Sequence, residues 1–213
     1  MIITDKFIWM HIPKCGGTTT RDVIRHYWGD EIVFDSAAEW GIPHLSEVPQ
    51  RFLIDKERDW LINFRKLPGM LNSKANHCIR EGAFSKIKAS DKYNIQEEII
   101  KGYTLQNSFY ENNASDSSLP LVIDVNLITA DQVLNPFLYV FKTVPRQKLH
   151  VIRNEYYRSD ICDFADDPSI KILIRELNRE IIIPYIKVDT NDLMYKNNPS
   201  WAALESQFFN DNN

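Results

Sequence analysis

The chain has 213 residues, a net charge of −4, a pI near 5.8 and 44% hydrophobic residues. This length and apolar content predict one domain, if necessary with an insertion, and the acidic balance argues against a nucleic-acid-binding protein. The three cysteines are scattered without a CxxC pair, and the first residues lack a signal-peptide pattern. We therefore expect a reducing, cytoplasmic location and, since no apolar run reaches the length of a bilayer, no membrane span.

The first informative stretch predicts a strand, a glycine loop and a helix. Phe7–Ile12 is a short run of aromatic and β-branched residues, which is typical of a strand. Gly16 and Gly17 then allow backbone torsions that other residues avoid. Three threonines follow, and the apolar residues up to Tyr27 recur at helical spacing.

A glycine loop that leads into a helix presents free N–H groups at the positive end of the helix dipole. This arrangement predicts a phosphate or sulfate site, with Lys14 adding a full positive charge. The candidate anion-binding residues are Lys14, Cys15, Gly16, Gly17, Thr18 and Thr19.

A second phosphate contact is predicted further along the chain. Trp60–Phe64 is a compact apolar run that indicates a buried strand, with Arg65 at its carboxyl end and Ser73 in the helix predicted after Pro68. Ligands of open parallel sheets bind at the carboxyl ends of strands. There an arginine supplies a forked donor and a serine a hydroxyl for a phosphate.

The rest of the chain alternates strands with helices and predicts an α/β sandwich with a mostly parallel central sheet. Residues 36–49 are predicted as a loop, and residues 82–134 as a mainly helical insertion. The remaining predicted elements are strands at Glu31–Phe34, Lys148–Arg153 and Ile181–Val188 and helices at Ser46–Leu53, Pro136–Val144, Asp160–Phe164, Ile170–Leu177 and Pro199–Phe209.

With both phosphate motifs in view, HIPKCGGTTTR at 11–21 resembles the 5′-phosphosulfate loop of sulfotransferases that use 3′-phosphoadenylyl sulfate (PAPS). It is closest to the carbohydrate-type branch, whose typical form is HIPKTGGTS. Arg65 and Ser73 match that family's 3′-phosphate pair, and Leu149–Phe164 is similar to a late family segment with a glutamate, here Glu155. This sequence departs from the family in having Cys15 in place of threonine and RKLP in place of RDP.

The resemblance implies one sulfotransferase-like domain over residues 1–213, with a three-layer fold of the P-loop nucleotide-binding kind. It implies transfer of a sulfuryl group from PAPS to a hydroxyl of a small molecule or glycan, without a metal. Lys14 would neutralise charge on the leaving group, and the Cys15–Thr19 backbone would hold the 5′-phosphate. Arg65 and Ser73 would hold the 3′-phosphate.

The acceptor hydroxyl needs a base, and His44 is the first candidate because it lies between the two phosphate motifs and titrates near neutrality. Glu39 and Glu47 are alternatives. We expect Glu155 to be a structural acceptor near Arg153.

Two other functions remain open. Cys15 and Arg21 have the Cx5R spacing of low-molecular-weight phosphatases, in which a thiolate attacks phosphorus and the arginine binds the phosphate oxygens. Asp167, before a proline, would then be the general acid. The lysine before the cysteine and the double glycine after it favour the sulfotransferase. The third possibility is a protein that binds the product nucleotide PAP without catalysis.

Overall fold

The computed structural model describes residues 1–52, 57–80, 121–124, 130–177, 186–189 and 192–210. The chain divides into two compact units. The first unit comprises Met1–Lys66 and Val133–Glu180, and the second comprises Leu67–Gln132 and Ile181–Asn213. Most of the helical insertion predicted at 82–134 lies outside the described residues.

The described strands and helices alternate over much of the chain. The strands are β1 (Ile2–Thr4), β2 (Phe7–Met10), β3 (Ile32–Asp35), β4 (Asp59–Phe64), β5 (Leu121–Asp124), β6 (Leu149–Arg153) and β7 (Ile186–Asp189). The helices are α1 (Gly17–Tyr27), α2 (Ser36–Trp40), α3 (Leu67–Arg80), α4 (Asp131–Leu134), α5 (Leu138–Thr143), α6 (Tyr157–Ala165), α7 (Ile170–Glu176), α8 (Asp192–Asn197) and α9 (Pro199–Asn210).

The first unit contains a five-stranded mixed sheet in the order β3-β1-β2-β4-β6. β2, β4 and β6 pair in parallel, whereas β1 is antiparallel to both of its neighbours, β2 and β3. The predicted α/β class is confirmed, and two of the four pairings are antiparallel. The antiparallel pairings arise because Ile2–Thr4, for which no strand was predicted, forms a hairpin with β2.

Both faces of the central strands are buried, as expected for a sheet that is covered on two sides. All four residues of β2 are buried. In β4, Ile62 and Phe64 are buried on one face of the sheet and Leu61 is buried on the other. One face packs against helices of the first unit. The hydrophobic core between this face and the helices consists of Ile2, Phe7, Trp9, Val23, Ile24, Trp28, Leu61, Ile152, Ile161, Cys162, Ile170 and Ile174.

In the second unit, β5 pairs in parallel with β7. The fully buried amide of Asn198 joins two segments there. Its Oδ1 accepts from the backbone N–H groups of Ala130 and Asp131, and its Nδ2 donates to the carbonyl of Met194. The Asp131 carboxylate in turn accepts from two N–H groups in the first turn of α9. Side-chain capping therefore fixes the start of this helix.

Two local predictions in residues 36–53 were wrong. The loop predicted at 36–49 begins with helix α2, because the Asp35 carboxylate accepts from the N–H groups of Ala37 and Ala38 and caps it. Where a helix was predicted at 46–53, the described residues contain only a 3₁₀ turn at Gln50–Phe52. Among the helices that the structure describes, none has the length and apolar character of a membrane span.

Candidate anion-binding site

Three loops of the first unit lie at one edge of the sheet. β2, β4 and β6 run in parallel, so the segments that follow them leave the sheet on the same side. These segments are the loop at 11–16, Arg65 with Lys66, and the 3₁₀ turn Asn154–Tyr156. The fold thus brings the predicted 5′-phosphate loop and Arg65 to the same edge.

The loop between β2 and α1 has an unusual backbone. Lys14 has a φ of 66° and Gly16 a φ of 89°, whereas Cys15 between them is not in the left-handed region. Alternation of left- and right-handed residues makes successive N–H groups converge, which is the geometry of an anion-binding nest. A lysine at positive φ costs about 1–3 kcal/mol, so the surrounding structure must hold it there.

Helix α1 begins directly after this loop and its first turn is open. Gly16 is the N-cap residue, no side chain caps the helix, and no acidic residue lies in the first turn. The first N–H groups of a helix have no partner within it and carry the positive end of the dipole. Thr18 is exposed and Thr19 is half-buried, so their hydroxyls are accessible beside these donors.

A buried chain of hydrogen bonds fixes the loop to the sheet. The indole N–H of Trp9 donates to Oδ1 of Asn63 at 2.8 Å, and Nδ2 of Asn63 donates to Oγ1 of Thr20 at 2.9 Å. The Thr20 hydroxyl donates to the carbonyl of Gly16 at 3.3 Å. These hydrogen bonds were not predicted from the sequence. Their only signal was one asparagine in the apolar run Trp60–Phe64.

Close packing requires both loop glycines. A Cβ on Gly17 would lie 1.9 Å from Cδ2 and 2.0 Å from Nε2 of the His11 ring. A Cβ on Gly16 would lie 2.6 Å from Oδ1 of Asn154, and its positive φ would be strained as well. The glycine pair therefore allows β2 and the turn after β6 to approach the loop.

The His11 ring is buried and neutral. It stacks on Trp9 at 5.2 Å, and Nη2 of Arg21 donates to its Nδ1 at 3.3 Å. Burial, aided by His44 and the positive charge of Arg21, lowers the pKa of His11 from 6.5 to about 2. The His11 ring also lies directly beneath Gly17.

Because His11 is buried and neutral, we expect the protein to lose stability in mild acid. The unfolded chain gains a proton below pH 6.5 that the folded chain does not bind until about pH 2, so the free energy of unfolding falls as the pH falls. The contribution of His11 to this slope is at most about 1.4 kcal/mol per pH unit. We expect the urea midpoint to fall between about pH 7 and pH 5. The His11→Phe variant should show a flatter profile, whereas His26→Gln, at an exposed histidine, should retain the wild-type slope. A wild-type profile without slope would contradict the account.

His44 lies on the His11 side of the loop. Its Nδ1 is 3.4 Å from the carbonyl oxygen of His11, and the two rings are 4.2 Å apart. A carbonyl only accepts, so Nδ1 carries the proton and Nε2 keeps its lone pair. Desolvation of the ring lowers the pKa of His44, and the positive charges of Arg21 and Lys14 act in the same direction. His44 is therefore a neutral imidazole with a basic nitrogen at neutral pH.

The thiol of Cys15 is in a poor environment for a nucleophile. Its side chain is fully buried, and burial raises the pKa of the thiol well above its ordinary value. The Arg21 guanidinium, which would bind the phosphate in a phosphatase, donates instead to His11 and to the carbonyl of Pro43. Asp167 accepts a hydrogen bond from Tyr27, at the far end of α1 and about 15 Å along the helix from Gly17. The geometry therefore gives the phosphatase interpretation no support.

The other predicted residues are placed as follows. Arg65 is half-buried after β4, and its positive charge acts on the Cys15 thiol. Ser73 is half-buried on α3, in the second unit. Glu39 pairs with Arg51, and the charge of Glu47 contributes to the raised pKa of Tyr139.

Glu155 and Arg153, two positions apart in sequence, bind different partners. The Arg153 guanidinium donates two hydrogen bonds to the Asp160 carboxylate, at 2.9 and 2.7 Å, and its backbone N–H donates a third at 2.7 Å. Asp160 lies in the first turn of α6, so it reaches back to the end of β6. The Glu155 carboxylate accepts instead from the backbone N–H of Lys66 at 3.3 Å. Glu155 is a structural acceptor, but it joins the ends of β6 and β4.

A cavity of about 600 Å³ opens beside the loop. It is bounded by the start of α1, the turn after β6, the first turn of α6 and one side of α7. The lining residues are Gly16, Thr19, Asn154, Glu155, Tyr156, Tyr157, Arg158, Ser159, Lys171 and Ile174. This volume is in the range of small-molecule sites. Within the described ranges, no group of three or more His, Cys, Asp and Glu side chains is placed to hold a metal ion.

Comparisons of the chain with protein-family models, with curated proteins and with solved structures find no match. The fold and the site therefore define the class to which the protein can be assigned: an α/β protein with an open, positively polarised loop at the carboxyl edge of three parallel strands.

Proposed function

We propose that this protein is a sulfotransferase that uses PAPS and transfers its sulfuryl group to an acceptor hydroxyl. The observation that carries the proposal is the loop at 11–16, in which Lys14 and Gly16 have left-handed backbones directly before the uncapped start of α1. Such a loop suits a tetrahedral anion, and Lys14 adds a full charge. The resemblance of the loop to the 5′-phosphosulfate motif narrows the anion to a phosphosulfate.

The proposed nucleotide makes two phosphate contacts. The Cys15–Thr19 backbone and the two accessible threonine hydroxyls hold the 5′-phosphate. Arg65, at the same sheet edge, donates to the 3′-phosphate. We also propose that the sheet belongs to a three-layer, P-loop nucleotide-binding-like fold. Its three parallel strands, each followed by a loop at one edge, favour this assignment.

When PAPS is bound, the acceptor oxygen bonds to sulfur, the bond from sulfur to the 5′-phosphate oxygen breaks, and PAP leaves with that electron pair. Lys14 stabilises the charge that develops on the leaving oxygen. Nε2 of His44 takes the hydroxyl proton, since the bond from Nδ1 to the His11 carbonyl leaves Nε2 as the basic nitrogen. Glu155, the carboxylate in the cavity lining, already accepts from the Lys66 N–H, so His44→Gln should lower turnover whereas Glu155→Gln should retain it.

The proposed cellular setting follows from the cysteines. Cys15 and Cys162 are buried free thiols among the described residues. Free thiols favour a reducing compartment, and we propose the cytoplasm.

Thermal-shift titration with PAP, PAPS, ATP and phosphotyrosine tests the proposal. Selective stabilisation by PAP and PAPS is the expected result, because a ligand that binds only the folded state raises the melting temperature. A larger shift with phosphotyrosine, or none with PAP, would sink it. If PAP binds but PAPS is not turned over with any hydroxyl compound, the protein is a PAP-binding protein without catalysis.

A further inference from the structure

The cavity beside the loop contains two cations that form no ion pair within the part of the chain that the structure describes. Arg158, in the first turn of α6, and Lys171, on α7, both line it with exposed side chains. Within the described residues neither forms an ion pair, in contrast to Arg153, which Asp160 neutralises, and Arg25, which Asp35 neutralises. The charges of Arg158 and Lys171 therefore remain available to a ligand.

The cavity lining carries less negative charge than positive charge. Glu155 is the carboxylate among the lining residues, and it already accepts from the Lys66 N–H. Two cations against one carboxylate leave the lining with a net positive charge, and the open start of α1 adds to it at Gly16 and Thr19. The cavity therefore favours an anionic ligand.

The cavity also offers ring and apolar surface. The Tyr156 side chain is 50% exposed, and the Arg153 guanidinium lies 4.6 Å from its ring. Because two hydrogen bonds hold Arg153 to Asp160, this contact keeps the Tyr156 ring in place. Ile174 supplies buried apolar surface on the α7 side. A flat ring can stack on the exposed part of Tyr156 while its charged substituent reaches the cations.

We propose that this cavity is the acceptor subsite, and that the acceptor is a small aromatic compound that carries both a hydroxyl and an anionic group such as a carboxylate. This inference rests on the proposed function. Arg65, to which we assign the 3′-phosphate, is not among the lining residues. The cavity borders the loop at Gly16 and Thr19, which belong to the proposed 5′-phosphate contact, and Arg158 and Lys171 hold the anionic group.

A matched pair of probes tests the charge requirement. 4-Hydroxyphenylacetate and 4-hydroxyphenylacetamide differ in the negative charge, and each is titrated by ligand-observed NMR against the full chain with PAP present. We expect the acid to bind about tenfold more tightly than the amide, the effect of one charge-assisted contact. The double variant Arg158→Gln with Lys171→Gln should abolish this difference. Arg175→Gln, an exposed arginine of α7 outside the cavity lining, should keep it.

Each of the other possible outcomes overturns one stated part of the proposal. Equal affinity of wild-type protein for acid and amide, or an equal loss in Arg175→Gln, overturns the subsite. Weaker PAP binding in the double variant, with AMP binding unchanged, shows that the cavity holds the second phosphate and overturns the acceptor assignment. Acid-selective binding without any PAP binding overturns the proposed function and with it the acceptor role. Unchanged urea midpoints establish that the glutamine variants are folded.

Discussion

Replacing Gly17 by alanine should destabilise the first unit by about 3 kcal/mol, the upper part of the range for overpacked sites. The added Cβ would lie 1.9 Å from the His11 ring, and that ring cannot retreat. It is buried between Trp9 at 5.2 Å and His44 at 4.2 Å. We therefore expect the melting temperature to fall by about 6–12 °C, with loss of anion binding at the loop.

Gly29→Ala is the matched control, because a Cβ at Gly29 meets no atom within 4 Å. It should change the free energy of unfolding by no more than about 0.5 kcal/mol. The double variant Gly17→Ala with His11→Ala removes the ring that clashes and should be more stable than the sum of the single changes predicts. If Gly17→Ala were as stable as Gly29→Ala, the packing of the loop on His11 would be wrong.

Lys14→Met should reduce sulfuryl transfer by about 10²- to 10³-fold, which is typical for loss of one group that stabilises developing charge. Methionine keeps an unbranched side chain at a residue whose φ is 66° but removes the charge. Turnover of PAPS to PAP, followed by anion-exchange chromatography with and without hydroxyl compounds, measures the effect. The urea midpoint of the variant should stay close to that of the wild type.

Cys15→Ala is the counterpart of this experiment. The buried thiol has a raised pKa and no assigned chemistry, so PAPS turnover should persist within about tenfold. A phosphatase would behave in the opposite way. If Cys15→Ala abolished hydrolysis of 4-nitrophenyl phosphate while Lys14→Met retained it, the thiolate mechanism would replace the one proposed here.

The strand–loop–helix unit around Lys14 was predictable because its signals are local. Aromatic and β-branched residues mark β2, the glycine pair marks the loop, and the spacing of Val23 and Ile24 marks the buried side of α1. β4 and its terminal Arg65 were likewise predictable from one apolar run. These features depend on residues within a few positions of each other.

The contacts that shape the loop were not predictable, because they join residues far apart in sequence. Asn63 bonds to Trp9 across 54 positions and to Thr20 across 43 positions. The approach of Asn154 to Gly16 depends on the pairing of β4 with β6. β1 was missed because its three residues are too few to show a period. The ion pair of Arg153 with Asp160 was not predicted either, because it forms only when the first turn of α6 brings this carboxylate back to the end of β6.

The cavity adds what the motif alone could not indicate. Arg158 and Lys171 lie on different helices, and only the packing of α6 and α7 brings both to the side of the loop. Tyr156 and Glu155 follow β6, so the late segment contributes to the cavity as well as to the sheet. The first unit therefore combines a candidate anion-binding loop with a cationic, ring-lined cavity at one edge of its sheet.

Isothermal titration calorimetry of the full chain with PAP and with AMP tests the central claim most directly. The two nucleotides differ in the 3′-phosphate, so their affinities separate the two proposed phosphate contacts. We expect one PAP per chain, bound at least about tenfold more tightly than AMP, because the 3′-phosphate makes charge-assisted contacts. We also expect Arg65→Gln to remove most of this preference. No heat with PAP, or equal affinity for PAP and AMP, would contradict the central claim.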